Sequence, residues 1–310
     1  MRTEVHNAIL AFVISRTEAK AALLRSGYLL EQRVKSLLDS RWSYTEQNVN
    51  YPDDVTGKYR EYDLHALRSF TTGPDIKDVV MGSLAIECIN NPEPLAVLTH
   101  TQSLANLNED NVRIVGAPLT IEIKSGNKVH LRDLLNNSDQ HYATGSTGTQ
   151  FCSFVKKKSP KDEWMALHDD SHFESIAKVC SAIEHQALQL INAWLARRPS
   201  HVEVTFLYPV IVLQGELWEV RHTKRSVRIR SAEHLQLQRT LIGPDNHVTY
   251  QIDVVRERAL PKLLSTIEHE LDAVASMFKR NASVVRKAID ATLMLPEPQN
   301  KISWFTILST

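Results

Sequence analysis

Between Thr17 and Asp39 the apolar residues Leu23, Leu24, Leu30, Val34, Leu37 and Leu38 recur at spacings that gather them on one side of a helix. Gly27 interrupts that run. It costs about 1 kcal/mol of helix propensity relative to alanine, so a break or a close packing contact is expected there. The next segment, RWSYTEQNVNYP, reads as extended and ends at Pro52, and PDDVTG carries turn signals. KYREYDLHALRS then alternates polar and apolar, as a strand with one wet face does. After the loop FTTGPDIKD, the stretch VVMGSLAIECI is almost wholly apolar, which predicts a central strand covered on both faces. NNPEP stops it, and LAVLTH resumes an extended run.

Downstream, RIVGAPL and TIEIKSGNKV are further strand candidates, the second turning back at SGN. HYATGSTGTQ is polar and glycine-bearing and is expected to be a surface loop. Ser171 with Glu174 three residues on forms a capping-box signature ahead of a long helix that runs to about Arg197. VEVTFLYPVIVLQGELWEVR reads as two strands joined near Gln214 and Gly215. LQLQRTL and HVTYQIDVV are two more, and a helix from Leu260 to about Ala291 closes the pattern. With no repeat, no low-complexity tract and no clear linker, residues 1–310 read as a single mixed α/β domain.

Composition narrows the class. The chain is 43% hydrophobic with only 10 Gly and 12 Pro, as expected of a folded globular protein. No apolar run approaches the length of about 18 residues that would suggest a membrane span, so no membrane partner is expected. The short AILAFVI patch near the start reads as packed helix or strand rather than a leader. Cys88, Cys152 and Cys180 are scattered and form no CxxC pair, so neither a zinc ribbon nor a disulfide framework is supported. A reducing cytoplasm is the natural compartment. Lys plus Arg equal Asp plus Glu at 36 each, so any grip on nucleic acid must be local. Two clusters qualify: Lys156, Lys157 and Lys158 (with Lys161) in VKKKSPK, and Arg221, Lys224, Arg225, Arg228 and Arg230 in VRHTKRSVRIR. In a strand, Arg228 and Arg230 would share a face. A solvated turn and an edge strand guarded against pairing account for the same residues equally well.

The candidate chemistry is acidic. Asp63 and Glu87 end or interrupt strand-like runs, and a carboxylate on an apolar strand is costly to bury without a partner or a metal. Glu31 lies on the first helix, where pairing with Lys35 is the plainer role. HDDSH places His168 and His172 four apart, a spacing metal ligands use on a helix. It also sits at a predicted helix start, where Asp169, Asp170 and Ser171 suit capping, and capping is the preferred reading. Cys152 and Cys180 lack an evident His and acid partner set and read as small buried hydrophobes. The absence of GxGxxG, Walker and GxSxG signatures argues against dinucleotide, P-loop and α/β-hydrolase chemistry.

The element order, with Glu31 in SGYLLEQRV, Asp63 in REYDL and Glu87 in LAIECIN, resembles the PD-(D/E)XK or restriction-endonuclease-like nuclease superfamily. The resemblance covers Thr17 to Asn91 well and the later helix and strands loosely. It implies an αβββαβ core, here with extra strands and a long C-terminal helix. It implies Mg2+ or Mn2+ held by Asp63 and Glu87, with Glu31 as a third or outer acid. It also implies action on nucleic-acid phosphodiesters, DNA before RNA. The family's lysine belongs two residues after Glu87, where this chain has Ile89. Isoleucine supplies neither charge nor donor, so cleavage is expected to be weak or absent unless another element brings a lysine or a polar substitute. Lys156, Lys157, Lys158, Gln150 and Gln186 are the candidates. The rivals are a non-catalytic nucleic-acid-binding or assembly subunit of the same build, and an α/β interaction protein of unrelated fold that forms a homodimer through its C-terminal helix.

Overall fold

The structure, a computed structural model, describes residues 14–53, 57–73, 75–101, 113–117, 120–124, 127–130, 141–142, 146–157, 163–167, 170–197, 200–224, 226–242 and 247–293. Lys158, Lys161, His168, Asp169, Arg225 and the AILAFVI patch as far as Val13 lie outside them. The chain is mixed α/β. Two helices open it, α1 (Arg16–Ser26) and α2 (Tyr28–Asp39). They break at Gly27, whose φ of 86° is the left-handed conformation that glycine adopts without a Cβ penalty. Ser15 and Glu18 form a capping box on α1, which buries nothing, whereas α2 buries Leu30, Val34 and Leu38.

Three strands follow, β1 (Tyr44–Pro52), β2 (Tyr59–Thr71) and β3 (Val79–Ile89), paired as an antiparallel meander. Six more strands come next: β4 (Leu95–Thr101), β5 (Arg113–Ala117), β6 (Thr120–Lys124), β7 (Asn127–His130), β8 (Ser146–Lys156) and β9 (Trp164–Leu167). The long helix α3 (Asp170–Arg197) leads to β10 (Glu203–Leu213), which lies parallel to β3 along its whole length. Then come β11 (Leu217–Thr223), β12 (Ser226–Ala232), β13 (His234–Ile242), β14 (His247–Arg256), α4 (Leu260–Arg280) and α5 (Ala282–Leu293). Twelve of the strands form one sheet, ordered β1-β2-β3-β10-β14-β13-β8-β4-β11-β12, with β5 beside β10 and β9 beside β8.

Three local expectations change. The end of HYATGSTGTQ is the first half of β8, because Gly148 has no Cβ to collide with Val97 and lets the strand run close to β4. The long helix starts at Asp170, so Ser171 belongs to its first turn rather than preceding it. The C-terminal helix is two helices, parted at Asn281, whose N–H turns back to the carbonyls of Met277 and Phe278.

The sheet is covered on both sides. Leu64, Leu84 and Ile86 pack with α2 and with Leu264, Leu271 and Phe278 of α4, and Val285 of α5 joins them. On the other face Ala85, Leu207 and Ile211 pack with Val179, Cys180 and Ile183 of α3. Double coverage explains why β3 reads as an unbroken apolar run. The apolar stripe of α4 is buried within its own chain. Gly82 lets Leu271 reach the sheet, since a Cβ there would stand 2.5 Å from Leu271 Cδ1. Gly82→Ala is therefore expected to destabilise by about 1–3 kcal/mol through overpacking. Chemical denaturation measures this, and a variant as stable as the parent would contradict the packing.

Candidate active site

Asp63 and Glu87 come together where β2 leaves β3. The β2–β3 pairing runs from Thr71 and Val79 to Leu64 and Ile86, and Asp63 and Glu87 are the next residues on the two strands. At this point β2 rotates. Tyr62 joins the α3-side cluster while Leu64 joins the α2 and α4 side, although strict alternation would put them on one face. Across β1 the same point is Asn48, with a φ of 54°. The rotation turns the Asp63 carboxylate onto the end of β3, where Oδ2 accepts from the Cys88 backbone N–H at 2.7 Å.

Glu87 is 3% exposed and points toward α3. Lys178 of α3 donates to both of its oxygens, at 3.1 and 3.3 Å. Ser175, one turn earlier, adds a hydroxyl. Tyr51 of β1 donates to the Lys178 carbonyl at 3.1 Å and ties the helix to the edge of the meander. Here α3 presents Ser175, Lys178, Ala182 and Gln186 at helical spacing along the sheet.

Three carboxyl groups are held above their ordinary range. Burial raises Glu87, the Asp63 charge adds to it, and Lys178 and Ser175 offset only part, leaving Glu87 at about 7. Burial also raises Asp63, against the Cys88 N–H and Lys178. Glu31 rises through burial and then through Asp63 and Glu61, so all three sequence-predicted acids share one electrostatic neighbourhood. One ammonium does not balance them, and that surplus of negative charge suits a cation. Among the described residues, no group of three or more His, Cys, Asp or Glu is arranged to hold a metal ion. Two carboxylates completed by water and phosphate oxygens are, however, a common protein contribution to Mg2+, and Asp63 and Glu87 fit that donor set.

These shifts carry a sign. A folded carboxyl that titrates near 7 binds its proton more tightly than an unfolded one, which titrates near about 4.3. Its contribution to stability is complete below about pH 4 and is lost as the pH rises through about 7. Glu87→Gln, which keeps the shape without the charge, is expected to raise the melting temperature near pH 8 and flatten its slope between about pH 4 and 7. Melting curves across that range decide it. An unchanged slope would show that Glu87 is not held this way.

The other candidates fall elsewhere. Gln186 lies eight residues beyond Lys178, about 12 Å along the helix. There it accepts from Ser83 at 2.8 Å and donates to Tyr62 at 2.7 Å, beside His65. Gln150, Lys156 and Lys157 belong to β8 or follow it, and β10, β14 and β13 stand between β8 and β3. That is roughly 19 Å along the sheet, too far for any of them to serve as the relocated group. Ile89 packs into the α3-side cluster, so its position contributes apolar contact. His172 is buried in the first turn of α3. Cys88, Cys152 and Cys180 are free thiols, and burial pushes each of them up, away from the nucleophilic thiolate.

The basic hairpin is at the far edge of the sheet, with six strands between β3 and β12. Arg221 and Arg228 are direct cross-strand neighbours, as are Glu219 and Arg230. Buried Glu219 binds Arg230 and Arg221, the latter at 2.9 Å, and accepts from Thr99 at 2.8 Å. Burial alone would raise its carboxyl, but these partners bring it down to about 2. Glu219 thus fixes two of the arginines, while Arg228 and Lys224 are exposed on the outermost strand and its turn.

Lys178 and Ser175 are the site residues that sequence reasoning missed. Their only signal was a polar stripe on a helix otherwise apolar toward the sheet. Among the described residues, no helix is long and apolar enough to cross a membrane. Compared with known proteins, the chain matches no family model, no curated protein and no solved structure.

Proposed function

We propose that the chain is a metal-dependent phosphodiesterase of restriction-endonuclease-like build acting on nucleic acid, DNA before RNA, with Lys178 as its relocated lysine. The observation that carries this reading is the Lys178 ammonium on both oxygens of Glu87, beside Asp63, at the end of a central strand. The order α2, β1, β2, β3, α3, β10, with β10 parallel to β3, supports it. Mg2+ or Mn2+ held by Asp63 and Glu87 would supply a water of lowered pKa and neutralise phosphate charge. Lys178 donates to a phosphate oxygen and keeps the Glu87 carboxylate in place. Glu31, whose carboxyl is raised by burial and by Asp63, is the third acid of the site and the candidate proton acceptor. The hairpin that bears Arg221, Lys224, Arg228 and Arg230 offers a second, salt-sensitive contact to the phosphate backbone.

One observation favours a second reading, a non-catalytic binding subunit of the same build: no ready-made cage of three metal-binding side chains occurs among the described residues. Incubation of the protein with plasmid DNA and with RNA, in Mg2+, Mn2+ or chelator, separates the two. Cleavage that needs metal and is lost in Asp63→Asn supports the enzyme. Binding without cleavage in every metal supports the subunit.

A further inference from the structure

The outer strand of the basic hairpin, β12, ends the large sheet, and among the described residues no strand pairs with its other side. Every residue from Ser226 to Ser231 is exposed. The pairing of β12 with β11 is regular over all seven of its residues, with no bulge and no proline. An edge of that kind presents a row of unpaired N–H and C=O groups, ready for another strand.

The two faces of β12 differ. Val227 and Ile229 are 59% and 56% exposed on one of them. Ile229 is opposite Val220, and Val220 is opposite Leu98 of β4, itself 38% exposed, so one apolar row runs inward across three strands. Leaving such a row in water is costly, and a covering partner removes the cost. The other face is cationic. Arg228 and Arg230 alternate with Val227 and Ile229, and Arg228 lies opposite Arg221. Glu219 pairs with Arg221 and Arg230, whereas among the described residues no carboxylate pairs with Arg228 or with Lys224 in the turn.

We infer that β12 accepts, as an added strand, an extended segment of a partner protein in which acidic and apolar residues alternate. Main-chain bonds to the edge supply affinity, and the alternation supplies the choice of partner. The apolar side chains of the segment extend the row of Ile229, Val220 and Leu98, and its carboxylates meet Arg228. Charge decides against a second copy of this chain. In either direction, β12 against β12 sets Arg228 and Arg230 beside their own kind, with one Glu219 per copy to offset them. The cations that deter self-pairing thus select an acidic strand. A phosphate backbone engages the same cations but leaves Val227, Ile229 and the row of backbone groups uncovered. Six strands lie between β12 and β3, so the inference is independent of the nuclease reading.

The probe is a fluorescently labelled peptide of seven residues, the length of β12, in which Glu alternates with Val and Ile. Its anisotropy with the full chain is expected to show saturable binding. Two control peptides should bind about tenfold more weakly or less. One has the same composition with its acids grouped at one end. The other has two adjacent prolines at its centre, and because alternate N–H groups face the neighbouring strand, one proline falls where a bond is needed. In the protein, Arg228→Glu and, separately, Val227→Thr with Ile229→Thr should each weaken the alternating peptide about tenfold or more. All three positions are exposed, and threonine keeps the branched shape that strands favour. Melting temperatures show that the variants fold, and the control peptides decide the matter without them. Equal binding of the three peptides reduces the surface to ionic attraction and overturns the inference, as does no binding at about 1 mM. An oligonucleotide that binds the parent but not Arg228→Glu, with the peptide ignored, assigns the edge to nucleic acid instead. A dimer in sedimentation that Val227→Thr with Ile229→Thr dissolves assigns it to a second copy, and either result also overturns the inference.

Discussion

Lys178→Met is expected to lower metal-dependent cleavage of nucleic acid by about 10²–10³-fold, the usual cost of removing one well-placed charge from a reacting oxyanion. Methionine keeps the length of the side chain and its packing on α3, so a loss reports on the ammonium. Asp63→Asn and Glu87→Gln should cost at least as much, and the three losses should not add, because groups that act as a unit fail together. Lys156→Met with Lys157→Met serves as the control, since three strands separate β8 from β3. Ile89→Lys on the Lys178→Met background tests the geometry further. Position 89 shares a strand face with Glu87, so a lysine there should return part of the lost rate, provided its melting temperature shows that it folds. Parent-like cleavage by Lys178→Met would be decisive against a relocated lysine.

His141→Gln is expected to lose about 3–5 kcal/mol of stability, the cost of breaking a buried ion pair from one side. His141 Nδ1 lies 2.9 and 3.0 Å from the two oxygens of Glu270, and its Nε2 lies 3.1 Å from Asp253. Asp253 is fully buried and also takes Tyr142 at 2.7 Å and His234 at 2.7 Å. With a carboxylate at each ring nitrogen, the imidazole is held as the cation. Burial lowers its pKa, but Asp253 and Glu270 outweigh that and bring it to about 10. Because the folded value lies above the unfolded one, about 6.5, this stabilisation is complete below about pH 6.5 and is lost as pH rises toward about 10. Urea titrations at pH 6 and pH 9.5 measure both effects. The parent should weaken at the higher pH, and His141→Gln should be weak at both. Equal stability of variant and parent at pH 6 would show that the charge network does not hold the sheet to α4.

Much of the secondary structure was legible in the chain because it depends on local chemistry. Gly27 marked the break between α1 and α2, the alternation in KYREYDLHALRS marked β2, and the apolar VVMGSLAIECI marked the doubly covered β3. The strand at the start of β8 was not legible. STGTQ is polar and glycine-bearing, and its pairing with β4 and β13 depends on what lies beside it in space. Asn281 divides the last helix for a reason equally hard to see, since its side-chain and backbone donors close the preceding turn.

The acids show the same division. Their residue types and strand-end positions singled out Glu31, Asp63 and Glu87, because a carboxylate on an apolar strand is expensive wherever that strand packs. Sequence distance says nothing about a partner 91 residues away, so the Lys178 ammonium on Glu87 could not be read from it. Only the packing of α3 across β3 brought Lys178, rather than Lys156 or Lys157, to Glu87, and only the rotation of β2 at Asp63 turned that carboxylate onto the Cys88 N–H. Local periodicity and the cost of buried charge determined the elements and the acids. The long-range register of strands, and the helix laid over them, decided which charges meet.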